Sequence, residues 1–420
     1  MVTAARKKNL QTTIEIGKSI RAHYANVQVA KQEGKPVVWT FGLIPREVFH
    51  FMDVPIITLE HFAIMLSAKQ VSGKNCEVAE ERGFSRDLCA WQKAVIGCAL
   101  NEERGPFAEQ VFTAPDLIVA SNYPCIAESR SSLYLIEHLG CPYIFIDTPV
   151  NTRGEDIPDH AIEYYTAQLQ ELISFLENYG YKPNWARLKQ AVDLSRRLTL
   201  LWDEIDDFRR LIPTPFSASD GITCSYPLAQ LPGTDTAIKL YEGLLSEVRE
   251  RAEGKVGVLD EEKLRLLWLG LPPFYNLGAV TYPERYGAVV AKSETEYLLG
   301  GGVAGAAEMD AERPLESLAR KAITGLANPT YANRINYAVK MVKELKIDGV
   351  IAANERGCRM SPAGLRLMKD AIYKETGVAT TIFDLDAVDL REYDYAAVKE
   401  RIDSFIETLL LTERRADDKH

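Results

Sequence analysis

"DGVIAANERGCRMSPAGLRL", residues 348–367, reads as a strand, a short loop and then a helix. The apolar, β-rich run after Asp348 stops at Asn354, and helical spacing of apolar residues starts near Leu365. Between them sits Cys358. In an open α/β sheet this is where ligands are presented, beyond the carboxyl ends of parallel strands. The chain repeats the plan earlier. Residues 115–136, "PDLIVASNYPCIAESRSSLYLI", place Cys125 in the same position.

Working outward, strands are predicted at "PVVWTFG" (36–42), "VPIITLE" (54–60), "DLIVASN" (116–122) and "PYIFIDTP" (142–149). They recur at "KLRLLWLG" (263–270), "YGAVVAK" (286–292), "DGVIAAN" (348–354) and "GVATTIFDLD" (377–386), with helical stretches between. Such alternation predicts parallel sheets. The halves match in detail. "VVWTFGLIP" (37–45) and "LLWLGLPP" (266–273) share their Trp, Gly and Pro order. Cys125 and Cys358 each follow a strand opened by Asp116 or Asp348, and each precedes a helix, a Gly (Gly140 or Gly377) and a strand carrying Asp147 or Asp384. The expected fold class is α/β: two related Rossmann/flavodoxin-like domains with four-stranded parallel sheets, facing each other across a cleft. The expected organisation is an N-terminal helical segment (1–35), a first α/β domain (36–159), a helical connector (160–255) and a second α/β domain (256–420). Within the connector, "RLIPTPFSASDGITCSYPLAQLPG" (210–233) is rich in Pro, Ser and Gly and predicts a long ordered loop.

The 420 residues exceed one ordinary core. A formal charge of −10, offset by no basic run, excludes nucleic acid as the expected partner. No apolar run approaches the ~20 residues of a membrane span, and "MVTAARKKNLQ" has no apolar signal region, so the expected compartment is the cytoplasm. Seven cysteines in such a chain do not predict a disulfide framework, and the absence of Cys-x-x-Cys removes the usual zinc-ribbon and ferredoxin patterns. Any metal site must be assembled from distant parts of the chain.

Cys125 and Cys358 lie on strand-end loops. Cys89, in "GFSRDLCAWQKAVIG", is expected in the first turn of a helix capped by Ser85, where backbone N–H groups stabilise a thiolate. Cys76 falls in the turn "SGKNCE", Cys98 near the end of the Cys89 helix and Cys224 in the Pro/Gly loop. These six could converge on the cleft. Cys141, at the start of a strand on the opposite edge, could not. Cys89 and Cys98 are nine residues apart, on opposite faces of a continuous helix, so both could ligate one assembly only if the helix stopped near Gly97 or began after Cys89.

With these segments in view, the chain resembles the 2-hydroxyacyl-CoA dehydratase and benzoyl-CoA reductase subunits. The resemblance is carried by "GFSRDLCAWQKAVIG", "APDLIVASNYPC", "GCPYIFIDTP", "GTDTAIKLYEGLLSEVRERAEGK" and "DGVIAANERGC". It implies that Cys89, Cys125 and Cys358 hold a [4Fe–4S] cluster. The additional Cys76, Cys98 and Cys224 make the chain similar to the double-cubane branch of that family, which implies an [8Fe–9S] centre with three cysteines for each cubane. The alternative is one [4Fe–4S] cluster in a dehydratase or reductase subunit. The resemblance further implies low-potential electrons delivered by a separate iron–sulfur ATPase, a small-molecule substrate, and a homodimer or a heterodimer with a related subunit. ATP is expected on that partner. "IGKSI" (16–20) lacks the glycine that a phosphate-binding loop needs. Glu60 and His61, at the end of the second strand, are the expected proton donors. The aromatics Trp91, Tyr123 and Tyr226 are expected to keep the centre dry. The glycine-rich run 298–310 is expected as a loop at the cleft mouth.

Overall fold

The computed structural model describes residues 10–151, 157–300, 308–325 and 330–417. Most of the glycine-rich run 298–310 lies outside them. Eight strands form two sheets: β1 (Val38–Thr40), β2 (Ile56–Thr58), β3 (Leu117–Ser121) and β4 (Tyr143–Ile146) in the first, β5 (Leu264–Leu269), β6 (Ala288–Ser293), β7 (Gly349–Glu355) and β8 (Ala379–Leu385) in the second. The strand orders are β2-β1-β3-β4 and β6-β5-β7-β8. Every pairing is parallel, with Trp39 opposite Ile57 and Ile118 in one sheet and Leu267 opposite Val350 in the other. The identical orders establish the two-lobed α/β fold that the internal repeat predicts. They also fix a switch point in each sheet, between β1 and β3 and between β5 and β7, where the direction of strand addition reverses.

Alternate residues on each strand pack into different cores, as the two-residue strand period requires. Trp39, Ile57, Ile118, Trp268, Ile351 and Phe383 belong to one core shared by both lobes. Val38, Ile56 and Val119 face outward onto the helices Asp159–Glu177 and Pro314–Thr324, and Leu267, Leu269 and Val350 onto Tyr331–Glu344 and Leu365–Thr376. The connector helices Trp185–Asp207 and Asp235–Glu253 build a third core around Trp202 and Tyr241. The N-terminal helix Gln11–Gln32 docks on it, with Glu247 accepting from the Thr12 N–H at 2.7 Å. Among the described residues no helix is long and apolar enough to cross a membrane.

The segment 210–233 is not a long loop. It forms the helices Ala218–Cys224 and Tyr226–Gln230. Composition misleads here because a capping box overrides it: Ser217 Oγ accepts from the Asp220 N–H at 3.3 Å, and the Asp220 carboxylate accepts from the Ser217 N–H at 3.2 Å.

The helices Ser72–Glu81 and Ala90–Leu100 pack against each other at Gly97, where a Cβ would lie 1.7 Å from the Asn75 carbonyl oxygen. Gly97→Ala therefore forces the two backbones apart. We expect a destabilisation of at least ~1–3 kcal/mol, read as a lower urea midpoint at unchanged m value.

Candidate metal centre

Cys125 and Cys358 occupy equivalent places in the two lobes, each just past the strand that borders the switch point. Both sulfurs are cupped by backbone. Cys125 is the N-cap of the helix Ile126–Leu139, where the nearby Ala127 and Glu128 N–H groups favour its anionic form without closing a hydrogen bond to the sulfur. Cys358 accepts from the Ser361 N–H at 3.3 Å, and the Met360 N–H likewise favours its anionic form. Two N–H groups at positions two and three beyond a cysteine suit an anionic sulfur.

The third thiol arrives by a turn. Lys93 is buried and donates to the Glu80 carboxylate and to the Arg86 carbonyl, each at 2.8 Å, which holds the 85–89 turn in place. Ser85 does not cap the helix as expected. Its hydroxyl accepts from the Asp87 N–H at 3.1 Å within this turn, the helix begins at Ala90, and Cys89 is the N-cap. Gly357, with φ of 75°, lies against this segment: a Cβ there would be 3.2 Å from the Leu88 carbonyl oxygen. The absence of a side chain at Gly357 thus lets Cys358 come beside Cys89.

The three thiols lie close enough to shift one another's ionisation. Burial pushes Cys358 up to about 12, with Glu355 the next cause. Burial also pushes Cys89 well above the usual cysteine range, followed by the charges of Cys358, Glu355 and Cys125. Cys125 is raised by burial too, with its backbone donors opposing. Among the described residues no three His, Cys, Asp or Glu side chains form a site for a single metal ion. A polynuclear cluster makes a different demand, because each cysteine binds its own iron and the sulfurs need not converge on one point. Three half-buried or buried sulfurs, two with N–H cups, fit that demand.

The other three expected thiols sit elsewhere. The Ala90–Leu100 helix runs unbroken from Cys89 past Cys98, so they are separated by roughly 13 Å along its axis at 1.5 Å per residue. Cys98 is fully buried, and burial pushes it up to about 12. Cys76 is buried in the helix Ser72–Glu81 and donates to the Ala90 carbonyl at 3.7 Å, behind the Cys89 turn. Cys224 ends its helix inside the connector core with Trp202, Phe216 and Tyr241. Helix continuity sets Cys98 along the axis from Cys89 and a distinct core encloses Cys224, while Cys76 and Cys98 lie in the same shared core as Cys89.

Glu60 begins the helix Leu59–Ala68 after β2. Its Oε1 accepts from the Gly42 N–H, and its Oε2 lies 3.7 Å from Arg46 Nη2. A second carboxyl, that of Glu128, lies close enough to feel the Glu60 charge. Among the described residues neither Glu60 Oε2 nor Glu128 Oε1, both buried, has a hydrogen-bond partner. Burial and the Glu60 charge raise Glu128 well above the usual carboxyl range. His61 points away from this pair. Its Nδ1 meets the Tyr24 hydroxyl at 2.9 Å, its ring packs on Tyr226 at 4.9 Å, and burial lowers it to about 3. It is a neutral packing imidazole at physiological pH. Tyr226 therefore covers His61 rather than the thiols. Trp91 bridges the lobes against Phe274 beside Cys89, and Tyr123 is buried next to Cys125.

On the other side of the thiols stands a further acid pair. Burial raises Glu355 well above the usual carboxyl range, with Asp386 the next cause. Burial holds Asp386 at about 6 despite the N–H groups of Val388 and Asp389 that it accepts at 2.8 Å. Sequence reading missed Glu128 and Glu355. The available signal was their spacing, three residues after one strand-end cysteine and three before the other.

With this geometry in hand, comparison with known proteins is informative. The family model described as "2-hydroxyglutaryl-CoA dehydratase, D-component" matches residues 42–409. The (R)-2-hydroxyisocaproyl-CoA dehydratase alpha subunit of Clostridioides difficile is 26% identical over 95% of this chain and 96% of its own. A benzoyl-CoA reductase subunit of Thauera aromatica is 27% identical over 92% of both chains. The alpha subunit of the (R)-2-hydroxyglutaryl-CoA dehydratase of Acidaminococcus fermentans is 18% identical over 92% and 94%.

Proposed function

The chain belongs to the 2-hydroxyglutaryl-CoA dehydratase D-component family, and from that premise we propose that it is the iron–sulfur subunit of an enzyme that passes single low-potential electrons to a small acyl-CoA substrate. The cluster is one [4Fe–4S] unit held by Cys89, Cys125 and Cys358. The observation that supports this reading best is the placement of Cys125 and Cys358 just beyond the two switch-point strands, each with backbone N–H groups two and three residues on that favour its thiolate, with Cys89 brought near Cys358 at Gly357. An [8Fe–9S] double cubane would require Cys76, Cys98 and Cys224 on one face, and the placement of Cys224 in the connector core, apart from Cys76 and Cys98, favours the single cluster.

The cluster, when bound, supplies one-electron chemistry at low potential. The chain supplies the rest. Three sulfurs leave one iron of four without a cysteine. Trp91 and Tyr123 exclude water beside Cys89 and Cys125. Glu128, held protonated by burial beside the Glu60 charge, keeps a proton near Cys125 for the oxygen or carbon that gains one during turnover. Electrons come from a separate ATP-hydrolysing iron–sulfur protein, and the chain works beside a second subunit, as the naming of its relatives as single subunits of larger enzymes suggests. Whether the substrate loses its hydroxyl or gains hydrogen separates a lyase from a reductase, and the relatives include both.

The test is anaerobic iron and sulfide quantitation with EPR on the reconstituted protein. About four irons per chain are expected for one cubane. About eight would overturn the single-cluster reading and restore the double cubane.

A further inference from the structure

The internal repeat makes Glu294 the counterpart of Glu60. Each follows the second strand of its sheet, and each carboxylate accepts the N–H of the glycine that ends the first strand: Gly42 for Glu60, Gly270 for Glu294 at 2.9 Å. Both glycines have positive φ, 96° and 80°. A Cβ on either would meet the backbone oxygen of the neighbouring switch-point strand or its loop, Tyr123 O at 2.5 Å or Ala353 O at 2.6 Å. The lobes then diverge. Three residues beyond the cysteine the first lobe has Glu128 and the second has Ser361. Glu60 accordingly faces a second acid, with Arg46 only at 3.7 Å. Glu294, fully buried, is instead gripped by the guanidinium of Arg334, whose Nε and Nη2 donate to the two carboxylate oxygens, the second at 2.8 Å.

Arg334 has one more arm. Its Nη1 donates to the carbonyls of Met360 at 3.3 Å and Ala363 at 3.5 Å. These peptides lie on either side of Ser361, whose N–H holds the Cys358 sulfur. The loop 356–364 has neither helix nor strand structure of its own, so these bonds tie it to the rigid end of β6. We propose that Arg334, clamped by Glu294, is the positioning residue for Cys358: it fixes the loop that aims this sulfur into the cleft. The cluster role of Cys358 rests on the reading above, but the positioning of its sulfur does not. A buried fork of this kind cannot be replaced by lysine, which offers a point charge without the planar geometry. Residues that hold a ligand's backbone without touching the ligand's own sulfur act in this way, through orientation rather than contact.

Arg334→Lys and Glu294→Gln in the full-length chain, kept free of iron and reduced, test this directly. Alkylation of each cysteine by iodoacetamide is followed by peptide mass spectrometry, with Cys125 as internal reference and Cys224 as reporter of global opening. In both variants the Cys358 rate is expected to rise about tenfold relative to Cys125, the scale of losing charge-assisted hydrogen bonds to a loop. Cys224 is expected to stay protected. A Cys358 rate unchanged in Arg334→Lys overturns the proposal. So does a rise shared equally by Cys125 and Cys224, which reports loosening of the whole fold. In the iron-loaded protein the same variants are expected to retain iron while the EPR spectrum of the reduced cluster changes. Full iron retention in Cys358→Ala would sink the cluster reading and leave the alkylation result to be judged alone.

Discussion

Cys125→Ala, Cys89→Ala and Cys358→Ala are each expected to strip most of the iron from the anaerobically purified protein, whereas Cys98→Ala and Cys224→Ala are expected to keep it. This contrast follows from surroundings rather than from residue type. The first three thiols push on one another's ionisation. On the proposed reading, removing one leaves a cluster with two of its three protein sulfurs. Cys98 lies inside a helix, and Cys224 is packed among Trp202, Phe216 and Tyr241. Their truncation removes only a sulfur from a filled core, at a cost of about 1 kcal/mol or slightly more and without effect on metal. Cys76→Ala is the sharper control, because this thiol backs the Cys89 turn through the Ala90 carbonyl. It is expected to retain iron but to lose it faster to a chelator, as the turn loosens. Equal iron loss from the Cys98 and Cys224 variants would show that the chain rearranges to bring those thiols to the cleft.

Much of this arrangement is legible in the sequence, for a physical reason. Strands buried on both faces must be almost wholly apolar, so "DLIVAS" and "DGVIAA" stand out against their surroundings, and the duplicated strand order follows from the duplicated pattern. Cys125 and Cys358 are legible because a strand end is easy to locate. Cys89 is legible only through the resemblance, since its approach depends on Gly357 and on a turn held by buried Lys93. Cys98 and Cys224 mislead for the opposite reason. Helix continuity through Gly97 and the capping box at Ser217 are decided by contacts at Asn75 and Asp220, which periodicity does not register. The acid pairs escape because a buried carboxyl reads as a surface one until the fold closes over it.

Glu60→Gln is expected to lower turnover by ~10²–10⁴-fold, the usual contribution of a positioned acid or base, with iron content and thermal stability close to wild type. The amide oxygen of glutamine can still accept from the Gly42 N–H, so the strand end stays closed. What is lost is the carboxylate whose charge helps to keep Glu128 protonated. Burial and that charge together hold the Glu128 proton at a pH where an exposed glutamate has none. Glu128→Gln removes that proton itself and is expected to match the loss, while the double variant falls little further because the two act as one unit. His61→Phe distinguishes this assignment from its neighbour in sequence. The imidazole is neutral, bonded to Tyr24 and tilted against Tyr226, so its replacement by another ring costs packing and leaves turnover within a few-fold. The measurement is steady-state turnover under ATP-driven reduction, with iron determined on each sample. If Glu60→Gln loses iron in proportion to activity, Glu60 is a brace like Glu294 and the proton comes from elsewhere. If it keeps more than about a third of wild-type turnover with a full cluster, the chemistry needs no acid at this position. Loss of turnover with iron intact assigns the proton to Glu128 beside Glu60, in the lobe where the repeat has a second carboxyl in place of Ser361.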